Sequence, residues 1–226
     1  MTFEEYFGDW IKVIDKTELY RVINQINVLY KTHKCEPTYD NIFKAFNITP
    51  YNDLKLISLA MDPYPQHEVS TGICFANQKS VVTLSPSLEV LKEAIINFEV
   101  PHNLITFDPT LEEVSRQGVL LLNSALTVET NKPNSHTYLW RPFMCSLLKN
   151  LSEYNPGLVY ILWGNVAKSF ESYINNSNVV YKMPHPAYYA RTNTKIPHSF
   201  FVELNNVIYH KFGTKIEWFK EEKYYV

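Results

Sequence analysis

Short apolar segments that alternate with helical patterns constrain the fold of this 226-residue chain more than any other feature of its sequence. The segments are bounded by turn residues and are too short for long helices, which is typical of buried strands. Strands that alternate with helices form parallel sheets with helices on both faces. We therefore predict an α/β fold, a three-layer α/β/α sandwich with a central four-stranded, mainly parallel sheet. The four predicted strands are Leu54–Ala60, Val119–Asn123, Leu158–Trp163 and Val179–Met183.

Helical spacing of apolar residues predicts helices before, between and after these strands. Thr17 is predicted to be the N-cap of the first long helix, and Pro37-Thr38 to open a short second one. The predicted helices cover about residues 17–32, 38–46, 87–98, 141–151, 164–173 and 199–209.

Polar residues follow each predicted strand at the point where it ends. Asp62 follows the first strand and Asn123 ends the second. Gly164-Asn165 follow the third strand, and His185 follows the fourth. The carboxyl ends of parallel strands meet at one edge of the sheet, and ligands of open α/β sheets bind there. The sequence therefore predicts a functional site at this edge.

Composition narrows the class of protein. A hydrophobic content of 46% fits one folded domain over residues 1–226, with a helical segment before Pro37, and excludes a disordered chain. No apolar run is long enough for a membrane span, and the acidic N-terminus lacks the features of a secretory signal. Three scattered cysteines fit buried thiols better than disulfides or a metal centre. A net charge of −2 neither requires nor excludes a nucleic-acid partner.

Five ordered motifs identify a resemblance to a known family. Leu59–Pro65 (LAMDPYP) resembles the G-Q-D-P-Y-H segment of family 1 uracil-DNA glycosylases, and Gly72–Phe75 (GICF) resembles their G-L-A-F. Arg116–Val128 (RQGVLLLNSALTV) is similar to R-Q-G-V-L-L-L-N-x-x-L-T-V. Leu162–Ala167 (LWGNVA) resembles L-W-G-S-x-A, and His185–Ala190 (HPAYYA) resembles H-P-S-P-L-S. The resemblance runs from about residue 37 to 218.

The resemblance implies an enzyme that releases uracil from DNA. Asp62 would stabilise the oxocarbenium-like sugar or position the water, and His185 would donate to uracil O2 as a neutral imidazole. Backbone N–H groups at Met61 and Asp62 could join His185. Taken singly, Asp62 also fits a helix or turn cap, and His185 fits a core histidine whose hydrogen bonds are satisfied.

Uracil would be recognised by three further side chains. Asn123 can pair with N3–H and O4 of uracil, a pattern that cytosine reverses. Phe75 would stack on the base, and Tyr64 would exclude the thymine methyl group. Their alternative roles are a turn residue at the strand end for Asn123 and plain core packing for Phe75.

The resemblance implies contacts to the DNA backbone at three loops: Ser85-Pro86-Ser87, Gly164-Asn165 and His185 to Arg191. Ser135-His136 resembles a further pair near DNA, and a solvated loop fits it equally well.

Several positions depart from the family pattern. Met61 stands where Gln is usual, Pro65 where His is usual, and the glycines that normally follow are missing. Asn165 and Ala187 replace serines. Tyr188-Tyr189 replace Pro-Leu, which puts Tyr189 at the position of an intercalating Leu.

We expect a monomeric, monofunctional glycosylase without metal or other cofactor, open to a DNA-mimicking protein inhibitor. An intracellular, cytoplasmic location is favoured over a nuclear one. Two rival functions stay open: a DNA-binding scaffold with little turnover, and a glycosylase of broader base specificity. An unrelated α/β hydrolase is disfavoured because no G-x-S-x-G elbow is present.

Overall fold

The computed structural model describes residues 2–97 and 104–222. Its strands are β1 (Cys35–Glu36), β2 (Leu56–Ala60), β3 (Leu104–Thr106), β4 (Val119–Asn123), β5 (Val128–Glu129), β6 (Val159–Trp163), β7 (Val179–Met183) and β8 (Lys220–Glu222). Its α-helices are α1 (Phe3–Phe7), α2 (Lys16–Thr32), α3 (Lys44–Ile48), α4 (Pro86–Ile96), α5 (Glu112–Arg116), α6 (Thr137–Tyr154), α7 (Gly164–Lys168), α8 (Pro186–Thr192) and α9 (His198–Phe212).

The central sheet confirms the predicted architecture. Its strand order is β4-β2-β6-β7, and all three neighbouring pairs are parallel. Two small antiparallel pairs, β1 with β5 and β3 with β8, were not predicted. Strands of two or three residues carry too little alternation to be recognised in a sequence.

Alternate residues of the strands face two separate hydrophobic clusters. Leu59 and Leu120 belong to the cluster packed under α2 and α6. Leu121 and Ile161 belong to the cluster on the opposite face, under α4 and α9. Because each face is covered by helices, every residue of β2, β4 and β6 is buried. This burial explains why the strands read as continuous apolar runs.

Several predicted boundaries move by a few residues. β2 begins at Leu56 rather than Leu54, and β6 at Val159 rather than Leu158. α4 begins at Pro86, and the predicted helix end at Phe98 lies outside the described residues. Helix α6 is longer than predicted, since Pro142 lies inside it rather than near its start. α9 runs His198–Phe212 and therefore exceeds the predicted 199–209 at both ends.

Two predicted helices are broken into shorter pieces. The helix expected after Pro37-Thr38 is a 3-10 turn, Tyr39–Asn41, followed by α3. The helix expected over 164–173 is α7 followed by a second 3-10 turn, Glu171–Tyr173.

The predicted N-cap of α2 is wrong. Asp15 is the cap, and its Oδ1 accepts hydrogen bonds from the N–H groups of Thr17 and Glu18 at 2.9 and 3.1 Å. Asp and Thr both cap helices well, so the sequence alone does not show which of Asp15 and Thr17 is the cap.

The segment before Pro37 packs onto the domain. Trp10, Leu19, Val22 and Ile26 are buried in the same cluster as α6. Of the described helices, none is both long and apolar enough to cross a membrane.

Candidate active site

A cavity of about 190 Å³ opens at the carboxyl edge of the sheet. Ligand pockets for drug-sized molecules are commonly about 300–1,000 Å³, so this volume suits a single small ring. The cavity is lined by Met61, Asp62, Pro63, Tyr64, Pro65, Ser70, Ile73, Phe75, Ser87, Asn123, Pro133, His185 and Ala187. The structure thus brings together all six residues predicted for catalysis and base recognition.

Sheet register fixes the two central segments of the cavity relative to each other. Ala60, the last residue of β2, pairs with Asn123, the last residue of β4. Beyond the strands, Ser124 N–H donates to Ala60 O at 2.9 Å. The Ser124 hydroxyl and the Ala125 N–H both donate to Met61 O, at 2.8 and 2.9 Å. Asp62 and Asn123 are therefore held by main-chain contacts next to the sheet.

The Asp62 carboxylate is partly buried in this cavity. Burial raises its pKa, while hydrogen bonds from the Asn134 N–H and from its own N–H oppose that rise. The Asn134 N–H lies 2.6 Å from Asp62 Oδ2. One carboxylate oxygen is thus fixed by the protein, and the group is a pre-oriented acceptor or general base.

Two contacts hold the glycine-poor segment after Asp62. Asn131 N–H donates to Pro65 O at 2.8 Å. His67 Nδ1 lies 2.8 Å from an oxygen of Glu36, whose side chain is only 4% exposed. Glu36 belongs to β1, and Asn131 follows β5, so the β1–β5 ribbon anchors this segment.

His185 is the N-cap of α8, with Pro186 as the first helical residue. Its Nδ1 accepts a hydrogen bond from Ala187 N–H at 3.2 Å. A backbone N–H can only donate, so Nδ1 carries no proton and the neutral ring carries its proton on Nε2. Burial, together with the Arg191 charge, lowers the pKa of His185 to about 4. At neutral pH the ring is therefore an uncharged donor through Nε2.

Gly164 allows His185 to take this position. A Cβ atom at Gly164 would lie 3.0 Å from His185 Cβ, and the φ of Gly164 is +79°. Both the close approach and the backbone angle disfavour any other residue here. The predicted DNA-contact role of Gly164 stays a prediction.

Phe75 has a strained backbone at the wall of the cavity. Its φ is +66°, a region that aromatic residues rarely occupy and that clusters at functional sites. The ring centroid lies 5.6 Å from that of His185 and 6.0 Å from that of Trp163. The Tyr64 hydroxyl donates to Phe75 O at 3.1 Å. Phe75 therefore has both predicted roles: it packs in the core, with only 7% of its surface exposed, and it forms part of the cavity wall.

Asn123 is a buried side chain at the end of β4, with 7% of its surface exposed. A buried amide needs hydrogen-bond partners. Because Asn123 lies on the wall of the cavity, a bound ligand or water can supply the hydrogen-bond partners of its amide.

The segment predicted to contact phosphate begins α4. Ser85 is the N-cap residue, Pro86 is the first helical residue and is exposed, and Ser87 is buried against the cavity. Asn77 makes two hydrogen bonds to Ser85. Of these residues, Ser87 alone lines the cavity.

The segment from His185 to Arg191 is a helix rather than the predicted loop, because His185 and Pro186 supply a cap and a first turn. Tyr188 is 48% exposed, whereas Tyr189 is partly buried against the cluster under α4 and α9. Arg191 is exposed near the end of the helix, and Asn165 is exposed at the start of α7.

His136 does not lie in a solvated loop. It is 3% exposed, and its Nδ1 lies 2.9 Å from Thr127 Oγ1. Trp140 Nε1 donates to the same oxygen at 2.7 Å. Burial lowers the pKa of His136.

Several residues of the site were not predicted from the sequence. Asn134 acts through its main chain, so its side-chain type carried no signal. Pro133 and Ser70 line the cavity from loops without a recognisable pattern. Within the described ranges, no group of three or more His, Cys, Asp or Glu side chains is placed to hold a metal ion.

Sequence comparison matches the chain to one protein family. A model of the uracil DNA glycosylase superfamily matches residues 46–208. The chain is 30% identical to the uracil-DNA glycosylase of Fusobacterium nucleatum over 96% of its own length and 97% of that protein. It is 37% identical to the uracil-DNA glycosylase of Campylobacter jejuni strain 81-176, covering 78% of this chain and 74% of that one.

Structural comparison agrees at the level of the fold. Mimivirus uracil-DNA glycosylase superposes with a TM-score of 0.73 at 18% identity, covering 96% of this chain and 91% of that chain. The wild-type UNG from Nitratifractor salsuginis gives a TM-score of 0.56 at 20% identity, with 95% and 92% covered. On the strength of the sequence matches, this chain belongs to the uracil DNA glycosylase superfamily.

Proposed function

We propose that this chain is a uracil-DNA glycosylase of base excision repair, which flips uracil out of DNA and hydrolyses its N-glycosidic bond. The observation that carries the proposal is the meeting of Asp62, Asn123 and His185 in one small cavity at the carboxyl edge of the sheet. The names of the Fusobacterium and Campylobacter relatives point to the same reaction.

The reaction needs opposite charges to be stabilised on its two products. The C1′–N1 bond breaks, its electron pair leaves with uracil, and positive charge develops on the sugar. A water oxygen then bonds to C1′, and a proton from that water is released. Asp62, ionised and held by the Asn134 N–H, faces the sugar cation or accepts the proton of the water.

His185 stabilises the departing base. With Nδ1 engaged by Ala187, the Nε2–H is directed as the donor to uracil O2, where negative charge develops. A neutral donor suits this role because it does not hand over its proton before the bond breaks.

Three side chains recognise the base. Phe75 stacks on the ring, and the Asn123 amide pairs with N3–H and O4. Tyr64 occupies the C5 edge, where a thymine methyl group would clash. Met61, which replaces Gln, contributes through its main-chain N–H. Its carbonyl is already engaged by Ser124 and Ala125, and these bonds hold the main chain of Met61 in place.

The rim of the cavity holds the DNA backbone. The proposed contacts come from Ser85, Pro86, Ser87, His136, Gly164, Asn165, Tyr188, Tyr189 and Arg191. Tyr189 stays the predicted intercalating residue because of its place in the motif that resembles H-P-S-P-L-S, and Tyr188 is a second candidate because its ring is the more exposed. His136 can contribute only through its second ring nitrogen or by shaping the loop, because its side chain is buried.

The proposed enzyme is a monofunctional, cytoplasmic monomer. It uses water as the nucleophile and needs no metal or other cofactor. A mimivirus UNG variant was crystallised in complex with UGI. We expect UGI to inhibit this chain as well, as a protein that competes with DNA for the rim.

The test is release of free base from a labelled oligonucleotide that carries one uracil, in single-stranded and duplex form, without added metal. Uracil release with no release from a matched thymine oligonucleotide is expected. DNA binding without release would favour the scaffold function instead. Release of several modified bases at similar rates would favour the broader glycosylase.

A further inference from the structure

Asn77 is a fully buried amide that has no part in the chemistry above. It has 0% exposure and lies two residues after Phe75, which forms part of the cavity wall. Its own N–H donates to Pro109 O at 2.8 Å, and it pairs with Ser70 in an isolated antiparallel bridge. Its main chain is thus held from two sides, so its side chain projects from a fixed point.

The side chain of Asn77 engages both polar groups of Ser85. Asn77 Oδ1 accepts a hydrogen bond from the Ser85 N–H at 2.7 Å, and Asn77 Nδ2 donates to Ser85 Oγ at 2.8 Å. The Ser85 N–H can only donate, which fixes the orientation of the amide. An amide nitrogen also can only donate, so Ser85 Oγ is the acceptor of the second bond. Asn77 thereby holds the Ser85 hydroxyl towards itself.

The Ser85 side chain does not cap its own helix. A serine at the N-cap normally accepts a hydrogen bond from the N–H of the second or third helical residue, but Ser85 makes no such bond at the start of α4. The N–H groups of Leu88 and Glu89 donate instead to Ser85 O, at 2.9 and 3.0 Å. Pro86 has no N–H. The Ser87 N–H is left without a hydrogen-bond partner among the residues that the structure describes.

This open donor belongs to a residue of the cavity wall. Ser87 lines the cavity and is only 5% exposed. An open N–H in the first turn of an 11-residue helix favours a negatively charged partner. DNA brings such a partner, because Ser85, Pro86 and Ser87 form one of the segments proposed to contact its backbone. A phosphate oxygen and a capping Ser85 hydroxyl would compete for the same N–H.

We propose that Asn77 is a positioning residue for the grip on DNA. By engaging both polar groups of Ser85, it keeps the Ser85 hydroxyl off α4 and leaves the Ser87 N–H open to a phosphate oxygen next to the flipped nucleotide. The inference rests on the proposed function, because it needs the proposed contact between this segment and the DNA backbone. It adds a residue that touches neither the base nor the phosphate and acts through Ser85.

The decisive variant is Asn77→Ala. It releases the Ser85 hydroxyl, which can then accept the Ser87 N–H as an ordinary N-cap. We expect the affinity for single-stranded DNA to fall about tenfold, because a hydrogen bond to a charged phosphate is lost. Binding is titrated with an oligonucleotide that carries one 2′-fluorinated deoxyuridine. The fluorine disfavours positive charge on the sugar, so the base stays attached during the measurement.

Neutral phosphates locate the lost contact. A set of oligonucleotides carries one methylphosphonate each, moved stepwise along the phosphates on both sides of the deoxyuridine. In the wild-type protein, one of these substitutions should weaken binding through loss of the Ser87 contact. In Asn77→Ala the same substitution should cost no further affinity, whereas the substitutions at other phosphates should cost as much as in the wild type.

A double variant separates this role from general damage to the fold. Asn77→Ala/Ser85→Ala has no hydroxyl that can cap α4, so the Ser87 N–H is open again. We expect it to regain the sensitivity at that one phosphate and part of the lost affinity. The matched control is Ser152→Ala near the far end of α6, where the buried Ser152 Oγ accepts the Asn175 N–H at 2.6 Å. It should keep the wild-type profile.

The same methylphosphonate profile in the wild type and in Asn77→Ala would overturn the inference, and so would a double variant without any recovery at that phosphate. If thermal melting indicates that Asn77→Ala does not fold, Asn77→Val decides by the same profile, because it fills more of the space without a polar group. A wild-type protein that releases no uracil would instead refute the proposed function. The binding profile would still decide the inference, since it requires no release of the base.

Discussion

The base cavity and the rim around it differ in how the fold holds them. Asn123 ends one of two paired strands and Asp62 closely follows the other, and hydrogen bonds from Ser124 and Ala125 hold those ends together. On the rim, Pro86, Asn165, Tyr188 and Arg191 are exposed. Residues whose positions are fixed by sheet register tolerate few substitutions, whereas an exposed side chain can be substituted without disturbing its neighbours.

The departures from the family pattern follow this division only in part. Tyr64, Phe75, Asn123 and His185 all match the motifs, and Asp62 does so too. Asn165 and Tyr188-Tyr189 differ and lie on the rim, whereas Met61, Pro65 and Ala187 differ and line the cavity. The matching side chains point to an intact chemical step, and the departures point to an altered grip on DNA and a partly altered cavity wall. Each prediction below tests either the cavity or the rim.

The largest effect is expected for Asp62→Asn. It removes the negative charge that we propose faces the sugar cation, so release of uracil should fall about a thousandfold while DNA affinity changes little. Single-turnover rates and a DNA-binding titration measure the two quantities. Glu68→Gln on the same loop is the matched control, because the Glu68 side chain is 78% exposed. Equal loss in both variants would contradict the assigned role of Asp62.

A smaller loss is expected for Asn123→Asp. An ionised carboxylate cannot donate to uracil O4 and leaves a buried oxygen unpaired, a cost of about 1–3 kcal/mol. Uracil release should fall by up to about a hundredfold, and selectivity for uracil over cytosine should weaken. Competition between uracil and cytosine oligonucleotides measures the selectivity. An unchanged selectivity would remove Asn123 from base recognition.

The pH dependence separates the two proposed catalytic groups. Because the pKa of Asp62 is raised, activity is lost as the pH falls towards that pKa, by about tenfold per unit below it. The pKa of His185 is about 4, so its ring stays neutral from pH 5 to 8. The rate profile should show no inflection near 6.5, and the ¹⁵N shifts of His185 should not titrate there. A titration of His185 between pH 6 and 7 would contradict the neutral-donor role.

The smallest effects are expected on the rim. Tyr189→Ala should slow action on duplex DNA about tenfold more than on single strands, since an inserted ring replaces base stacking worth about 1–3 kcal/mol. Tyr188→Ala is the matched variant one position away. The larger duplex-specific loss identifies the inserted ring. Equal losses on both substrates in both variants would exclude insertion by either ring.

The sheet and the cavity could be predicted because both depend on local patterns. Continuous apolar runs marked the buried strands, and polar residues at their ends marked the site. Pro186 directly after His185 is a helix-start signal that would have identified α8.

The remaining contacts depend on distant pairings or on the main chain. The bond from Asn134 N–H to Asp62 spans 72 positions and uses no side chain of Asn134. The contact between Glu36 and His67 spans 31 positions, and each residue type alone is typical of a protein surface. Contacts between residues so far apart in the chain leave no periodic pattern in the sequence, so they can be recognised only in the folded structure.

The most direct test of the division between cavity and rim is single-turnover release of uracil from a single-stranded oligonucleotide at saturating enzyme. At saturating enzyme all of the DNA is bound, even if the rim binds it weakly. If the cavity is intact, uracil should then be released at a rate that no longer rises with enzyme concentration. Fully bound DNA that releases no uracil would contradict the proposal, because the defect would then lie in the cavity itself.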